Sequence, residues 1–129
     1  MAEPVETIGP GDILYRRLLY PEHVYDDGSV RPNAYYLSGR PDPQASVDLA
    51  RLTSPEETAA RGRRAGAGVG ALLADAPLAL RLVVRHKPLP DNPAHSTIEG
   101  LADTRQHRQL CKELAEATRV IVAPSGLQQ

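Results

Sequence analysis

Phenylalanine and tryptophan are both missing from the 129 residues of this chain, and its aromatic residues are five tyrosines. The hydrophobic core must therefore be built from Leu, Val, Ile and Ala, with tyrosine as its one large ring. All five tyrosines lie between Tyr15 and Tyr36, which confines any aromatic surface to that window. A chain of this length is typical of one domain.

Cysteine is nearly missing too, because Cys111 is the single copy and excludes an internal disulfide. The formal net charge of −1 offers no electrostatic attraction to nucleic acid or to an anionic membrane. No apolar run approaches the ~20 residues that span a bilayer, and no secretory leader is recognisable. We therefore predict a soluble cytoplasmic protein that binds neither nucleic acid nor membrane. The excess of Arg over Lys indicates a GC-rich bacterial genome.

Hydrophobic periodicity predicts an α+β domain with a small mixed sheet of about four to six short strands. Residues 1–11 are expected to form a flexible lead-in, 12–121 the domain and 122–129 a loose tail. The strands are predicted at residues 12–19, 34–37, 46–52, 66–74, 80–85 and 95–99. The last of these is expected to be an edge strand.

Two main helices are predicted, over residues 55–64 and 104–120. Ser54 can cap the first helix, with Glu57 three residues later to complete a capping box. Asp103 is the expected cap of the second helix. The first helix is expected to end in a basic cluster: Arg61, Arg63 and Arg64.

The glycine-rich run from Gly66 to Gly70 does not match a nucleotide-binding loop. A dinucleotide fingerprint needs a strand before the glycines and a helix after them, and a phosphate loop needs a lysine. Here a predicted helix precedes the run, a predicted strand contains it, and lysine is missing. These glycines are better explained by close packing of that strand against the first helix.

A proline-stiffened segment over residues 86–99 is the first candidate site. Its candidate binding residues are His86, Asp91, Asn92, His95 and Ser96. His95 and Asp91 could act as an acid–base pair, since histidine titrates near neutral pH. The alternatives are turn hydrogen bonds with His95 on a main-chain carbonyl, or a metal held by His86, Asp91 and His95. Because the spacing matches no zinc pattern, we predict neither metal nor cofactor.

Arg16 and the tyrosines form a second candidate site. If Arg16 and Tyr35 or Tyr36 meet in one cleft, the guanidinium could hold a phosphate while a ring stacks on the ligand. The alternative is that the tyrosines pack in the core and Arg16 and Arg17 extend into water.

Three stretches of the chain together resemble a widespread family of short bacterial proteins. They are Tyr15-Arg-Arg-Leu18, Ser46-Val-Asp-Leu-Ala50 and Pro88-Leu-Pro-Asp-Asn-Pro-Ala-His95. The resemblance covers about residues 12–120 and is most specific in the last stretch, a Pro-Leu-Pro-x-Asn-Pro-Ala-His signature. Because that family has no established biochemistry, the resemblance implies a shared fold and no activity.

The order of Arg16, then Tyr36 or Ser46, then Glu99 is similar to that in small ADP-ribosyltransferase-like toxin domains. That resemblance implies that the arginine holds a pyrophosphate, the aromatic ring stacks on nicotinamide and Glu99 stabilises an oxocarbenium ion.

The sequence leads to two hypotheses about function. The favoured one is a non-catalytic binding or accessory module acting with protein partners encoded nearby. The alternative is a small enzyme on a nucleotide-like substrate using Arg16, Tyr36, His95 and Glu99. The sequence leaves the oligomeric state open.

Overall fold

A computed structural model describes residues 5–61 and 66–125. The strands are β1 (Ile13–Leu18), β2 (Tyr36–Leu37), β3 (Arg40–Pro41), β4 (Gln44–Leu49), β5 (Gly68–Leu73), β6 (Val83–His86), β7 (His95–Glu99) and β8 (Arg119–Val122). The helices are α1 (Pro55–Arg61), α2 (Asp75–Ala79) and α3 (His107–Ala117). The predicted α+β class is confirmed. Within the described ranges, no helix combines the length and the apolar character needed to cross a membrane.

Six strands form one sheet in the order β6-β7-β4-β1-β5-β8, while β2 and β3 form a separate hairpin. Each pairing between these strands is antiparallel, so the sheet is not mixed. The prediction that residues 95–99 form an edge strand is wrong, because β7 lies between β6 and β4. The proline-rich segment that leaves β6 returns as β7, and this hairpin gives the edge position to β6.

Three other predicted strands change their limits. Residues 34 and 35 belong to a 3-10 turn that precedes β2, and residues 50–52 form a 3-10 turn after β4. The chain turns from β2 into β3 through Ser38 and Gly39, whose φ angles of 54° and 80° suit a tight hairpin. β6 begins only at Val83, because Arg81 adopts a left-handed φ of 64° after α2.

The capping box of α1 is present in the structure. The Glu57 backbone N–H donates to Ser54 Oγ at 3.1 Å, and Ser54 Oγ lies 3.4 Å from Glu57 Oε1. Helix α1 is described as far as Arg61. The rest of the predicted basic cluster, Arg63 and Arg64, lies outside the described residues.

The predicted helix over residues 104–120 is too long at both ends. Gln106, rather than Asp103, occupies the cap position of α3, without a side-chain capping bond. At the other end, Thr118 leaves the helix and the β-branched residues after it pair with β5 as β8. The buried face of α3 consists of Leu110, Cys111, Leu114 and Ala115.

The glycines of β5 allow a close approach of β8 rather than of α1. A Cβ on Gly68 would overlap the Val122 carbonyl oxygen and lie 2.5 Å from the Pro124 nitrogen. A Cβ on Gly70 would lie 2.5 Å from Thr118 Cγ2. The prediction of a buried strand is confirmed, since most residues of β5 are buried. Helix α1 also contacts β5, but the closest approach at Gly68 and Gly70 is made by residues 118–124 and not by α1.

Aliphatic side chains build most of the core, as the composition requires. Its largest fully buried members are Tyr35, Leu14, Leu18, Leu49, Ile98, Leu101 and Leu114. The Tyr35 hydroxyl lies 2.7 Å from Thr118 Oγ1, and burial raises the pKa of Tyr35 to about 12. Because side chains alternate along a strand, the opposite face of the sheet carries Tyr15, Asp48 and His95, which are aligned by strand register.

The segment before β1, predicted as part of a flexible lead-in, contacts the domain in the described structure. Ile8 is buried in the core cluster, and the Glu6 backbone N–H donates to His86 Nδ1 at 2.8 Å. Arg51 forms ion pairs with Glu6 and Asp12.

Candidate functional site

The sheet opens between β1 and β4, and two clefts adjoin at this opening. The pairing of these strands covers two residue pairs and ends at Tyr15–Asp48. Beyond that point, Arg16 Nη1 donates to the Ser46 carbonyl oxygen at 2.9 Å, which takes the place of continued strand pairing. Arg17 and Ser46 line both clefts and so mark the boundary between them.

The first cleft, here called the Arg16 cleft, has a volume of about 620 Å³. Its polar and aromatic lining includes Arg16, Arg17, Tyr20, His23, Tyr36 and Asp42. Arg16 and Tyr36 both line this cleft, which meets the geometric condition stated for the second candidate site, whereas Tyr35 is buried in the core. Two guanidinium groups and one carboxylate line it, so its local charge favours an anionic ligand although the whole chain is slightly acidic.

Arg16 is held by the fold and does not extend into water. Its Nε donates to the Ala34 carbonyl oxygen at 3.0 Å, and its guanidinium lies 5.3 Å from the Tyr35 ring centroid. Its Nη2 lies 3.7 Å from Asp42 Oδ2. Burial lowers the pKa of Arg16, but a guanidinium stays charged near neutral pH. Arg16 therefore shapes the cleft and contributes a fixed positive charge.

His23 contributes an unsatisfied polar atom to the same region. Its Nδ1 is buried and has no hydrogen-bond partner in the part of the chain that the structure describes, and its ring packs edge-on against Tyr20 with the ring centroids 5.3 Å apart. Burial lowers the pKa of His23, and the nearby charge of Arg16 lowers it further. The ring is therefore mostly neutral at pH 7.

The second cleft, here called the His95 cleft, has a volume of about 320 Å³. Its lining is Arg17, Ser46, Arg61, Leu89, Asp91, Asn92 and His95. It brings residues of the predicted proline-stiffened site together with an arginine of β1 and one of α1. The sequence did not indicate that the two candidate sites adjoin.

Asp48 organises the wall of the His95 cleft, although it is not among the site residues predicted from the sequence. Its Oδ2 accepts from Thr58 Oγ1 at 2.7 Å and from Arg61 Nη1 at 2.9 Å. Its Oδ1 accepts from Asn92 Nδ2 at 2.9 Å. The Asp48 side chain is only 2% exposed, so these three donors compensate for its loss of water. A carboxylate within a strand-like run was the one available signal for it.

The proline-rich segment fixes the pose of His95. Leu89 and Asn92 exchange two backbone hydrogen bonds of 3.0 Å across a turn that contains Pro90. His95 Nδ1 lies 2.9 Å from the Lys87 carbonyl oxygen. Since a carbonyl can only accept, Nδ1 carries the proton and Nε2 has a free lone pair in the neutral ring. His95 is partly buried and lines the cleft, so its main-chain bond orients the ring without sealing it inside.

Three predicted binding residues of this segment have structural partners instead. His86 Nδ1 accepts from Glu6, and His86 Nε2 lies 2.7 Å from the Pro93 carbonyl oxygen, so both ring nitrogens are occupied. Ser96 is buried and donates to the Ala94 carbonyl oxygen. Asn92 bridges Asp48 and the Ala94 backbone N–H. Across residues 5–61 and 66–125, no three His, Cys, Asp or Glu residues are grouped to hold a metal, so the alternative of His86, Asp91 and His95 as ligands is not supported.

The four residues of the predicted enzyme site do not all line one of these clefts. Arg16 and Tyr36 line the Arg16 cleft, His95 lines the adjoining cleft, and Glu99 lines neither. Glu99 instead forms ion pairs with Arg85 and Lys87 at 3.2 and 3.0 Å. A hydrogen bond from Thr97 and that from Lys87 lower the pKa of Glu99.

Cys111 offers no reactive group. It is buried in the core, and burial raises the pKa of its thiol to about 11. The thiolate that would act as a nucleophile is therefore scarce at neutral pH.

Arg17 lies at the candidate site, although from the sequence it was expected only to extend into water. It is partly buried at the boundary of the two clefts, and its side chain makes no hydrogen bond or ion pair with any described residue. No pattern distinguishes Arg17 from Arg16 in the sequence, because their different roles arise only when β1 and β4 separate.

A search of family models, curated proteins and solved structures finds no match to this chain.

Proposed function

We propose that this protein is a non-catalytic binding module that holds a small anionic ligand at Arg17, where the two clefts adjoin. The observation that carries the proposal is the partly buried guanidinium of Arg17, which has no hydrogen-bond or ion-pair partner within residues 5–61 and 66–125. Placing an unpaired charge out of water is costly, and a bound anion would remove that cost.

The surrounding charges leave Arg17 as the arginine of this boundary without a partner among the described residues. Arg16 and Arg61 lie on either side of it, and each is paired with a carboxylate, Asp42 or Asp48. These two carboxylates are therefore already engaged and leave Arg17 available to an anion. Tyr36, in the Arg16 cleft, offers a ring on which a planar part of the ligand could stack.

Titration calorimetry with pyrophosphate tests the proposal on the wild-type chain. We expect saturable binding that weakens at least about fivefold when sodium chloride rises from about 50 to about 500 mM, because a partly exposed charge pair is screened by salt. Sodium chloride titrated alone serves as the control for dilution heat. Saturable binding whose affinity does not change with the salt concentration would contradict the proposal. The absence of binding at the low salt concentration would contradict it too.

Catalysis is not needed to explain this arrangement. A four-residue enzyme site would require Glu99 to leave Arg85 and Lys87 and join Arg16 and Tyr36. Titration with nicotinamide dinucleotide, followed by Glu99→Gln in any turnover assay, distinguishes that alternative, since unchanged turnover would remove Glu99 from the chemistry. Action with protein partners stays a prediction.

A further inference from the structure

The His95 cleft contains more than a positive charge. Besides the Arg17 guanidinium, three polar groups of its lining have no hydrogen bond to a described residue: the imidazole Nε2 of His95, the Ser46 hydroxyl and the Asp91 carboxylate. In the neutral ring, Nε2 is purely an acceptor because Nδ1 donates its proton to the Lys87 carbonyl. A carboxylate is likewise purely an acceptor.

A bare inorganic anion such as pyrophosphate would use only part of this combination. It would bind through Arg17, but it would be weakened by the charge of Asp91 and would offer no proton to His95 Nε2. A ligand that presents hydroxyl donors next to its anionic group would use all of it. The hydroxyls can then donate to Nε2 and to the carboxylate while the anion faces the guanidinium.

We propose that the His95 cleft recognises the hydroxyl groups of a phosphorylated sugar or polyol whose phosphate lies at Arg17. This inference rests on the proposed anion site. The cleft volume of about 320 Å³ is at the small end of ligand sites and fits a monosaccharide-sized group. His95 is the specificity-determining residue, because its ring orientation is fixed by the main chain on both sides of the proline-rich turn.

The test compares ribose 5-phosphate with ethyl phosphate, which carries a similar charge and lacks hydroxyl groups. Wild-type protein should bind ribose 5-phosphate about three- to tenfold more tightly, as expected for one or two net hydrogen bonds. The amide of His95→Asn can still donate to the Lys87 carbonyl but presents no acceptor at the position of Nε2. In this variant the ratio of the affinities for ribose 5-phosphate and ethyl phosphate should fall towards one. The ratio of the two affinities is the readout, because a change in anion binding that is common to both esters cancels in it.

The matched variant is His95→Gln, whose longer side chain can place a carbonyl oxygen near the position of Nε2 and should retain the preference. Equal binding of both esters by wild-type protein would overturn hydroxyl recognition while leaving the anion site in place. Binding of neither ester would overturn the anion site itself. If His95→Asn and His95→Gln fail to fold, the ratio of the two wild-type affinities still tests whether the cleft recognises hydroxyl groups.

Discussion

Replacing Asp48 with alanine should lower the free energy of unfolding by about 3–5 kcal/mol, as expected when one partner of a buried charge network is removed. The Asp48 carboxylate is the shared acceptor for Thr58, Arg61 and Asn92. Without it, the Arg61 guanidinium loses its ion pair and two buried donors lose their acceptor. Urea unfolding followed by circular dichroism measures the loss.

Asp103→Ala is the control, because that aspartate is exposed and its side chain has no partner among the described residues. Its stability should stay within about 0.5 kcal/mol of wild type, as is usual for surface substitutions. A loss of less than about 1 kcal/mol in Asp48→Ala would mean that the network contributes little, since a single ordinary hydrogen bond is worth that much.

Replacing Arg17 with alanine should weaken pyrophosphate binding by about ten- to a hundredfold, the range expected for a charge-assisted contact of about 1.5–3 kcal/mol. Stability should change little, because Arg17 makes no hydrogen bond or ion pair with a described residue. Arg105→Ala removes the same charge from an exposed arginine outside both clefts and should bind like wild type.

Asp91→Asn provides a test of the opposite sign. Because Asp91 lines the His95 cleft, removing its negative charge should strengthen pyrophosphate binding, while Arg17→Ala weakens it. Calorimetry on the four proteins separates a local electrostatic site from a general effect of net charge. Equal weakening in Arg17→Ala and Arg105→Ala would show that the anion does not bind at Arg17.

Local signals in the sequence predicted much of the fold. The capping box of Ser54 and Glu57 identified α1. The apolar alternation of residues 66–74 identified β5. These features succeed because each depends on interactions within a few residues of the chain.

Features set by distant contacts were harder to predict. The first two residues of β8, 119 and 120, were assigned to the preceding helix, because the pairing of this strand with β5 and the space left by Gly68 are not local properties. The position of β7 inside the sheet depends on where β4 lies.

The same distinction between local and distant interactions applies to the residues of the candidate site. His95 could be selected because three prolines lie within the seven residues before it, a property that the sequence shows directly. Arg17 and Asp48 could not, because their roles depend on the separation of two strands and on a buried network across β4, α1 and the proline-rich turn.

The most direct test of the account is a pyrophosphate titration of isotope-labelled protein followed by amide chemical shifts. Anion binding at the boundary of the clefts predicts that the largest shifts occur at Arg16, Arg17 and Ser46, with little change at Arg105 in the turn before α3. Shifts that cluster around α3 instead, or that are absent at saturating pyrophosphate, would contradict a ligand site at Arg17.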